Sequence, residues 1–303
     1  MPRTVVLLPR WAPVVPAAAL PAIRAARAVV ADRSVPARFA AVAGAEPGDD
    51  VVDGVLLTTD PARLAGADAA VTPPAGTALL DAVAVMDRLR SPGGCPWDAE
   101  QTHASLLQYL VEECYELYQA VEDGDREAVR EELGDVLLQV LFHARIAAEA
   151  GAAGFAVDDV AAGLVDKLVG RHPHVFAGSE RIDTAERQEH RWEELKRAEK
   201  QRSSSVDGVP FAQPAVALAA KLTSRTARAG LPADLLPAGS GVGERLFALA
   251  AAAKLAGTDP EAALRTVARR FAADVRAAEQ QAGSAGEDPH ALDAAAWRRH
   301  WPR

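Results

Sequence analysis

Residues 102–150 read THASLLQYLVEECYELYQAVEDGDREAVREELGDVLLQVLFHARIAAEA, and this stretch decides the fold class. Apolar residues recur in it every three or four positions, which is the spacing of an amphipathic helix that buries one face. The pattern predicts one helix over about Thr102–Val121 and a second over about Arg126–Ala150. Only the turn EDGD at 122–125 separates them, and so short a connection predicts an antiparallel pair.

Residues 1–76 differ in composition from this helical pair. They contain the β-branched runs TVVLLP and VVDGVLL, and the segment 18–31 between these runs is predicted to be a helix. No glycine-rich phosphate loop follows either run. The sequence therefore predicts a small α/β unit, whose role it does not indicate.

The remainder of the chain is predicted to be helical. Residues 77–200 form the helical domain of the pair, with a third helix that ends by His172 because Pro173 follows it. A fourth, polar helix is predicted over Thr184–Lys200, and a linker containing Ser, Gly and Pro over 201–213. The Ala-rich segment 214–303 is again helical, since Ala has the highest helix propensity. The predicted fold class is mainly all-α, with a small N-terminal α/β unit.

Composition excludes several classes of protein. A formal net charge of −9 argues against binding a nucleic acid polymer, which needs clustered Lys and Arg. Two cysteines are too few for a disulfide framework, so reduced thiols are expected. The sequence shows neither a leader-like start nor the long apolar run of a membrane-spanning helix. We therefore expect a cytoplasmic location.

Six acidic residues concentrate in the helical pair. The first helix carries Glu112, Glu113 and Glu116, and the second carries Glu131, Glu132 and Asp135. Glu113 and Glu116 are three positions apart, as are Glu132 and Asp135, so each pair lies on one helical face. Facing carboxylates repel one another unless a cation neutralises them, and ligation by oxygen alone favours Mg²⁺, with Mn²⁺ as a substitute. The open alternative is a solvated acidic helix face.

Other residues are candidates for binding a phosphorylated, aromatic ligand. Lys167 and Arg171 lie four positions apart on the third helix and can contact phosphate oxygens. Trp192 is a large aromatic residue on the polar fourth helix, where a flat base is one candidate partner. Trp97, in the loop SPGGCPW, either frames a nucleotide or anchors that loop onto the helices.

Several blocks together resemble the MazG family of nucleoside triphosphate (NTP) pyrophosphohydrolases over about Leu79–Lys200. The blocks are GCPWDAEQTHASL, EECYELYQAV, EELGDVLLQVLFHAR, DKLVGRHPHVF and RWEELK. The family pattern of EExxE followed by ExxD is matched in order. The resemblance implies a Mg²⁺-dependent enzyme that cuts NTPs into a nucleoside monophosphate and pyrophosphate, and it implies a homodimer.

The resemblance also implies roles for individual residues. Glu113, Glu116, Glu132 and Asp135 match the metal ligands, and Glu112 orients water or binds a second ion. Lys167 and Arg171 match the phosphate-contacting positions, and Trp192 matches the base-contacting position. Water activated by a carboxylate and the metal would then attack near the α–β phosphate linkage.

A faint second copy of the family's helices is identified within residues 214–303. The segment GVGERLFALAAAAKLAGTDPEAALRTVARRFAADVRAAE resembles the second and third helices, but the ExxD position reads Gly241 to Glu244. PADLLPAGS stands where the EExxE helix is expected, and Arg269 and Arg270 are the remaining basic residues. We expect this copy to be degenerate and without catalysis.

The sequence has three alternative interpretations besides a broad house-cleaning pyrophosphohydrolase of standard and damaged nucleotides. A narrower dUTP or dCTP pyrophosphatase would share the same carboxylates. A non-catalytic helical regulator would have a vestigial metal site. A ferritin-like di-iron protein is disfavoured because the two acidic helices contain no ExxH pair.

Overall fold

The computed structural model describes residues 3–178, 184, 187, 188, 191, 192 and 203–302. The chain forms two compact units, Met1–Glu180 and Arg181–Arg303. Most of the described residues are helical and one small parallel sheet lies near the N-terminus, so the mainly helical fold class is confirmed. The domain limits drawn from the sequence, including the linker at 201–213, remain predictions.

The first unit begins with a five-stranded parallel sheet in the order β3-β2-β4-β1-β5. Val5, Val6, Leu56 and Leu57 are fully buried, as expected for a parallel sheet covered on both faces. Thr4 pairs with Val55 at the start of the central register. The strands are β1 (Thr4–Leu7), β2 (Val29–Ala31), β3 (Glu46–Pro47), β4 (Val55–Thr58) and β5 (Ala69–Val71).

The helix predicted over 18–31 is wrong in its second half. A 3-10 turn at Ala17–Ala19 leads into helix α1 (Leu20–Ala25), and the chain then enters β2. Val30 pairs with β3 and β4, so sheet pairing by the β-branched residues overrides the local preference of alanine for helix. The sequence predicted two strands, because the three shorter ones lack an alternating apolar pattern.

The remaining helices of the first unit follow in chain order. They are α2 (Ala37–Val42), α3 (Ala78–Arg90), α4 (Pro96–Glu100), α5 (Leu107–Asp123), α6 (Arg126–Ala148), α7 (Val157–Arg171) and α8 (Pro173–Phe176).

Helices α5 and α6 form the predicted hairpin. Gly124 ends α5 with φ of 69°, a left-handed conformation that glycine adopts without steric cost. Asp125 then caps α6, because its side chain accepts hydrogen bonds from the backbone N–H groups of Glu127 and Ala128. A two-residue connection between packed helices makes the pair antiparallel.

Helix α3 joins the sheet to the hairpin. At its first turn, the Asp81 carboxylate accepts hydrogen bonds from the backbone N–H groups of Arg10, Trp11 and Ala12 at 2.7–2.8 Å. At the other end of α3, Met86 packs in an apolar core with Leu106, Leu141 and Phe142, which come from the hairpin and the residue before it. The sheet is thereby tied to the element that carries the acids.

The second unit is a helical assembly with small side chains at its contacts. Its helices are α9 (Ala215–Arg228), α10 (Val242–Leu255), α11 (Pro260–Ser284) and α12 (Ala294–His300). Ala219, Ala220, Ala250 and Ala251 are buried, so α9 and α10 pack closely. Residues 232–240 contain a short 3-10 turn at Ala233–Leu235 and no α-helix.

Part of the predicted apolar stripe of the first unit is exposed in the single chain. Val160, Leu164 and Leu168 of α7 were expected to be buried but are 39–48% exposed. Leu107 and Val121 of α5 are also exposed. Among the described residues, no helix combines the length and apolarity that crossing a bilayer requires.

Candidate active site

The hairpin brings carboxylates from both of its helices together. One oxygen from each of Glu113, Glu116 and Glu132 can be chosen so that all three lie within 4.8 Å of one another. Glu113 and Glu116 come from α5 and Glu132 comes from α6, as the i, i+3 spacing predicted. We call these three residues together with Asp135 the acid cluster.

Asp135 lies close enough to the three glutamates to act on them electrostatically. Loss of hydration, followed by the negative charges of Asp135 and three neighbouring glutamates, raises the pKa of Glu113. The pKa of Glu132 is raised by the same causes, with Glu116 as the strongest charged neighbour. Glu112 contributes to the field at Glu113 but is exposed on α5 and outside the group of three oxygens.

The electrostatics of the acid cluster favour binding of a cation. A carboxylate whose pKa is raised by like charges is less stable in its ionised form, and a divalent ion between such carboxylates removes the repulsion. The donor set is oxygen only, which suits a hard ion such as Mg²⁺ better than a metal that prefers sulfur or nitrogen.

The two basic candidates on α7 differ in exposure. Lys167 is exposed, whereas Arg171, the last residue of the helix, is 8% exposed. Helix α7 packs against α6, the helix of Glu132 and Asp135. His172 closes α7 through its ring Nδ1, 2.6 Å from the carbonyl oxygen of Leu168, which agrees with a structural role for this residue.

Trp97 lies on α4 and is half exposed, with 50% of its surface accessible. Its ring makes edge contacts with Tyr109 of α5 and Phe142 of α6, at centroid distances of 6.0 and 6.4 Å. One side of the indole thus anchors the loop onto the hairpin, while the rest of the ring remains accessible. The two roles considered for Trp97 are compatible.

A buried arginine that the sequence did not single out fixes this loop. The Arg90 side chain is 4% exposed and makes a bidentate ion pair with Glu149 at 2.8 and 3.0 Å. Its guanidinium also donates to the backbone carbonyls of Asp98 and Gln101, on either side of the α4 end. Nothing in the run DRLRSPGG distinguishes Arg90 from a surface arginine.

Trp192 is half buried and has helical backbone, as do Arg187, Gln188 and Arg191. Most of the fourth helix predicted over Thr184–Lys200 lies outside the described residues. Trp192 belongs to the second unit and the acid cluster to the first, so the base-contacting role of Trp192 stays a prediction.

A cavity of about 710 Å³ lies away from the acid cluster, at the carboxyl end of β2. Asp32 in its wall is already satisfied, because it accepts hydrogen bonds from Ser34, Thr58 and Arg63. Arg33 pairs with Asp49 across the wall at 3.6 Å. These polar groups stabilise one another, and the acid cluster on the hairpin remains the predicted place of the nucleotide chemistry.

Comparison with known proteins finds relatives over most of the chain. Residues 101–176 match the family described as MazG nucleotide pyrophosphohydrolase domain, and residues 3–76 match the MazG N-terminal domain. A nucleoside triphosphate pyrophosphohydrolase of Mycolicibacterium smegmatis is 48% identical over 85% of this chain and 83% of that protein. A Mycobacterium tuberculosis protein of the same name is 42% identical over 89% of this chain and 84% of that protein. A solved structure of a MazG-related protein from Thermotoga maritima is 29% identical, covering 39% of this chain and 96% of that chain, with a TM-score of 0.32.

The helical hairpin with facing carboxylates lies within the matched MazG domain, and these comparisons make the chain a mainly helical hydrolase that acts on nucleoside triphosphates. The chain belongs to the MazG family of nucleoside triphosphate pyrophosphohydrolases, because relatives above 40% identity cover more than four fifths of both proteins. The resemblance read from its motifs is confirmed.

Proposed function

We propose that this enzyme hydrolyses NTPs and dNTPs to a nucleoside monophosphate and pyrophosphate at the acid cluster, with Mg²⁺ held by Glu113, Glu116, Glu132 and Asp135. The observation that supports this most is the approach of three carboxylate oxygens from two helices to within 4.8 Å. Mn²⁺ is a substitute, since it accepts the same oxygen ligands. When bound, the ion neutralises the carboxylates and polarises the phosphate oxygens.

The protein's own groups have separate tasks in this proposal. Glu112, exposed beside the acid cluster, accepts a hydrogen bond from the attacking water and orients it. The water gives up a proton to the Glu112 carboxylate as its oxygen bonds to the α-phosphorus. The bond from that phosphorus to the bridging oxygen breaks, and pyrophosphate leaves with the electron pair. Lys167 and Arg171 on α7 contact the polyphosphate and stabilise the charge that develops on it.

The nucleoside is recognised by aromatic side chains. The exposed part of the Trp97 ring offers a flat apolar surface at the end of the hairpin away from the turn, and Trp192 is the base-contacting residue by family position. Stacking of this kind tolerates different bases, because every base has a π-face. We therefore propose broad house-cleaning of standard and damaged nucleotides, in the cytoplasm where the nucleotide pool lies.

A homodimer completes this proposal. The apolar residues exposed on α5 and α7 include Leu107, Val160, Leu164 and Leu168. Helical bundles bury such apolar stripes against further helices. In a homodimer, the hairpin of the second copy provides these further helices. We also propose that α10 and α11 are a degenerate copy of helices α6 and α7 without catalysis.

Product identification tests the reaction. The purified chain is incubated with each of the eight common NTPs and dNTPs in Mg²⁺, and the phosphorus-containing products are separated. Monophosphate and pyrophosphate in equal amounts, lost with chelator and restored with Mg²⁺ or Mn²⁺, are expected. Diphosphate and phosphate as products would contradict the proposal, and turnover of dUTP or dCTP alone would replace it with the narrower alternative.

A matched pair of variants tests the site. Glu116→Gln removes one charge from the acid cluster, whereas Glu122→Gln makes the same change six residues on, on another face of α5. Only Glu116→Gln is expected to lose turnover. If the wild-type protein releases no pyrophosphate from any nucleotide, the helical regulator with a vestigial metal site is the better description.

A further inference from the structure

The face of α6 that carries Glu132 and Asp135 continues into a buried polar residue, Gln139. Gln139 follows Asp135 by four positions and Glu132 by seven, so the three side chains lie on one helical face. Its side chain is 4% exposed. The Oε1 atom of Gln139 is buried and has no hydrogen-bond partner among the residues that the structure describes.

An acceptor left in this way is unusual in a folded protein, because buried polar atoms nearly always have partners. A nonpolar side chain of similar length would avoid the cost of an unpaired buried acceptor. The place of Gln139 on the acidic face therefore calls for a donor from outside the described chain.

The position of Gln139 along the hairpin indicates which part of a nucleotide reaches it. Four residues of helix rise about 6 Å, which is comparable with the span from the α-phosphate of a nucleotide to its sugar hydroxyls. In an antiparallel pair, four residues forward on α6 correspond to four residues back on α5. Tyr109, four residues before Glu113, is therefore level with Gln139, four residues after Asp135. Tyr109 contacts the Trp97 ring at 6.0 Å. Along α6, Gln139 thus follows Asp135 by one turn and precedes Phe142, which contacts the Trp97 ring.

The aromatic side of this arrangement is held rigidly. Arg90 donates to two carbonyls of the α4 region, and the Gln101 side chain donates to the Trp97 carbonyl at 3.1 Å. A nucleotide that places its phosphates at the acid cluster and its base against Trp97 must pass its sugar over the level of Gln139.

We infer that the Gln139 carboxamide accepts a hydrogen bond from a sugar hydroxyl of the bound NTP and so determines specificity for the sugar, an inference that rests on the proposed function. The proposed degenerate copy agrees with this. The position that corresponds to Gln139, at the same distance from Glu244 as Gln139 from Asp135, is Ala248. The copy without the acid cluster also lacks the carboxamide.

The test compares four substrates in Mg²⁺: ATP and its 2′-deoxy, 3′-deoxy and 2′,3′-dideoxy forms, by kcat/KM for pyrophosphate release. The wild-type enzyme is expected to prefer ATP over the dideoxy form by about tenfold to hundredfold, since one hydrogen bond to a buried acceptor is lost. The two monodeoxy forms show which hydroxyl is recognised. Gln139→Met is expected to process ATP and the dideoxy form equally.

Gln108→Met is the matched control, because Gln108 is an exposed glutamine on the same hairpin and should keep the wild-type preference. Equal rates of the wild-type enzyme on all four nucleotides would overturn the inference without any variant. An unchanged preference in Gln139→Met, or an equal loss on all four substrates, would overturn it as well. If Gln139→Met fails to fold, Gln139→Asn, which keeps the carboxamide but withdraws it, is expected to reduce the preference. Absence of pyrophosphate release from every nucleotide would instead remove the proposed function itself.

Discussion

Helices α6 and α10, which we propose to be an intact and a degenerate copy of the same family helix, both pack closely but differ in their acidic residues. Glu132 and Asp135 lie in the second and third turns of α6 and face the glutamates of α5. Glu244, at the corresponding position of α10, lies in the first turn, is exposed, and has Gly241 three residues before it. The α10 helix is nevertheless tightly packed through buried alanines. Packing is therefore separable from the proposed chemistry, for which we expect a second acidic helix opposite the first to be required.

The largest difference between the two units is expected in the turnover of variants that lose one acidic residue. Glu113→Ala should lower kcat by at least about a hundredfold to thousandfold, the scale for removing a group that stabilises charge in the transition state. Asp135→Ala should do the same. Helicity should be nearly unchanged, because the substitution removes one of several mutually repelling carboxylates. Pyrophosphate release and circular dichroism of each variant are the measurements.

Glu244→Ala is the matched variant in the second unit and should leave turnover at the wild-type rate. The reverse change sharpens the comparison. Gly241→Glu combined with Glu244→Asp restores the ExxD spacing in α10, yet it should add no activity, since residues 232–240 provide no acidic helix opposite it. Activity gained in that variant, or kept in Glu113→Ala, would contradict the site assignment.

Each of the two units also contains an arginine–glutamate ion pair, and the two pairs differ in exposure. Arg90 is 4% exposed where it contacts Glu149, whereas Arg299 is 57% exposed where it contacts Glu287 at 2.8 Å. Arg90→Met should cost about 2–3 kcal/mol, less than for a fully buried pair because Glu149 is 42% exposed. Arg299→Met should cost at most about 1 kcal/mol.

Chemical denaturation of both variants, followed by hydrogen exchange to locate the unit that opens, measures the difference. Faster exchange in the first unit alone is expected for Arg90→Met. Equal, small losses in the two variants would show that Arg90 does not brace the loop that carries Trp97.

A smaller difference between the two units is expected in KM when one exposed lysine is removed from each. Lys167→Ala should raise KM for ATP about tenfold with little change in metal affinity, because it removes one charge-assisted contact to phosphate. Lys254→Ala, an exposed lysine of α10, should change neither value. Steady-state kinetics at several Mg²⁺ concentrations separate the two effects. A Lys167→Ala enzyme with unchanged KM would remove this residue from the phosphate site.

Residues of the hairpin were predictable from the sequence because local rules govern them. The i, i+3 spacing placed Glu113 with Glu116, and the EDGD turn fixed the antiparallel pairing that brings Glu132 to them. The same spacing rule extended by one turn points to Gln139, but its burial and its unpaired oxygen emerge only from packing. Trp97 was ambiguous for the same reason, since its contacts come from two other helices.

The N-terminal sheet was predicted less well because its determinants are not local. The strands β2, β3 and β5 are two or three residues long and form through pairing with distant neighbours. The Asp81 carboxylate binds three backbone N–H groups about seventy residues away in the chain, which no sequence spacing reveals. The link between the sheet and α3 therefore required the folded structure.

The smallest expected effect is a change in melting temperature when one glutamate is neutralised, and its sign is opposite in the two units. In the metal-free protein the raised pKa of Glu132 means that folding favours its protonated form, so its contribution to stability is full below pH 4.5 and is lost as pH rises through the folded-state pKa. The pKa of Glu287 is lowered, first by its hydrogen bonds with His300 and Arg299, so its contribution is present above pH 4.5 and is lost on acidification. With chelator present, Glu132→Gln should therefore raise the melting temperature at pH 7 and Glu287→Gln should lower it. The difference for Glu132→Gln should vanish towards pH 4, whereas the difference for Glu287→Gln should persist until the pH falls below the lowered folded-state pKa of Glu287. Saturating Mg²⁺ should reverse the sign for Glu132→Gln alone, because an ion that binds the folded acid cluster stabilises the wild-type protein more. Two variants that shift in the same direction with chelator present, or a Glu132→Gln shift whose sign Mg²⁺ does not change, would show that the acid cluster is an ordinary solvated helix face.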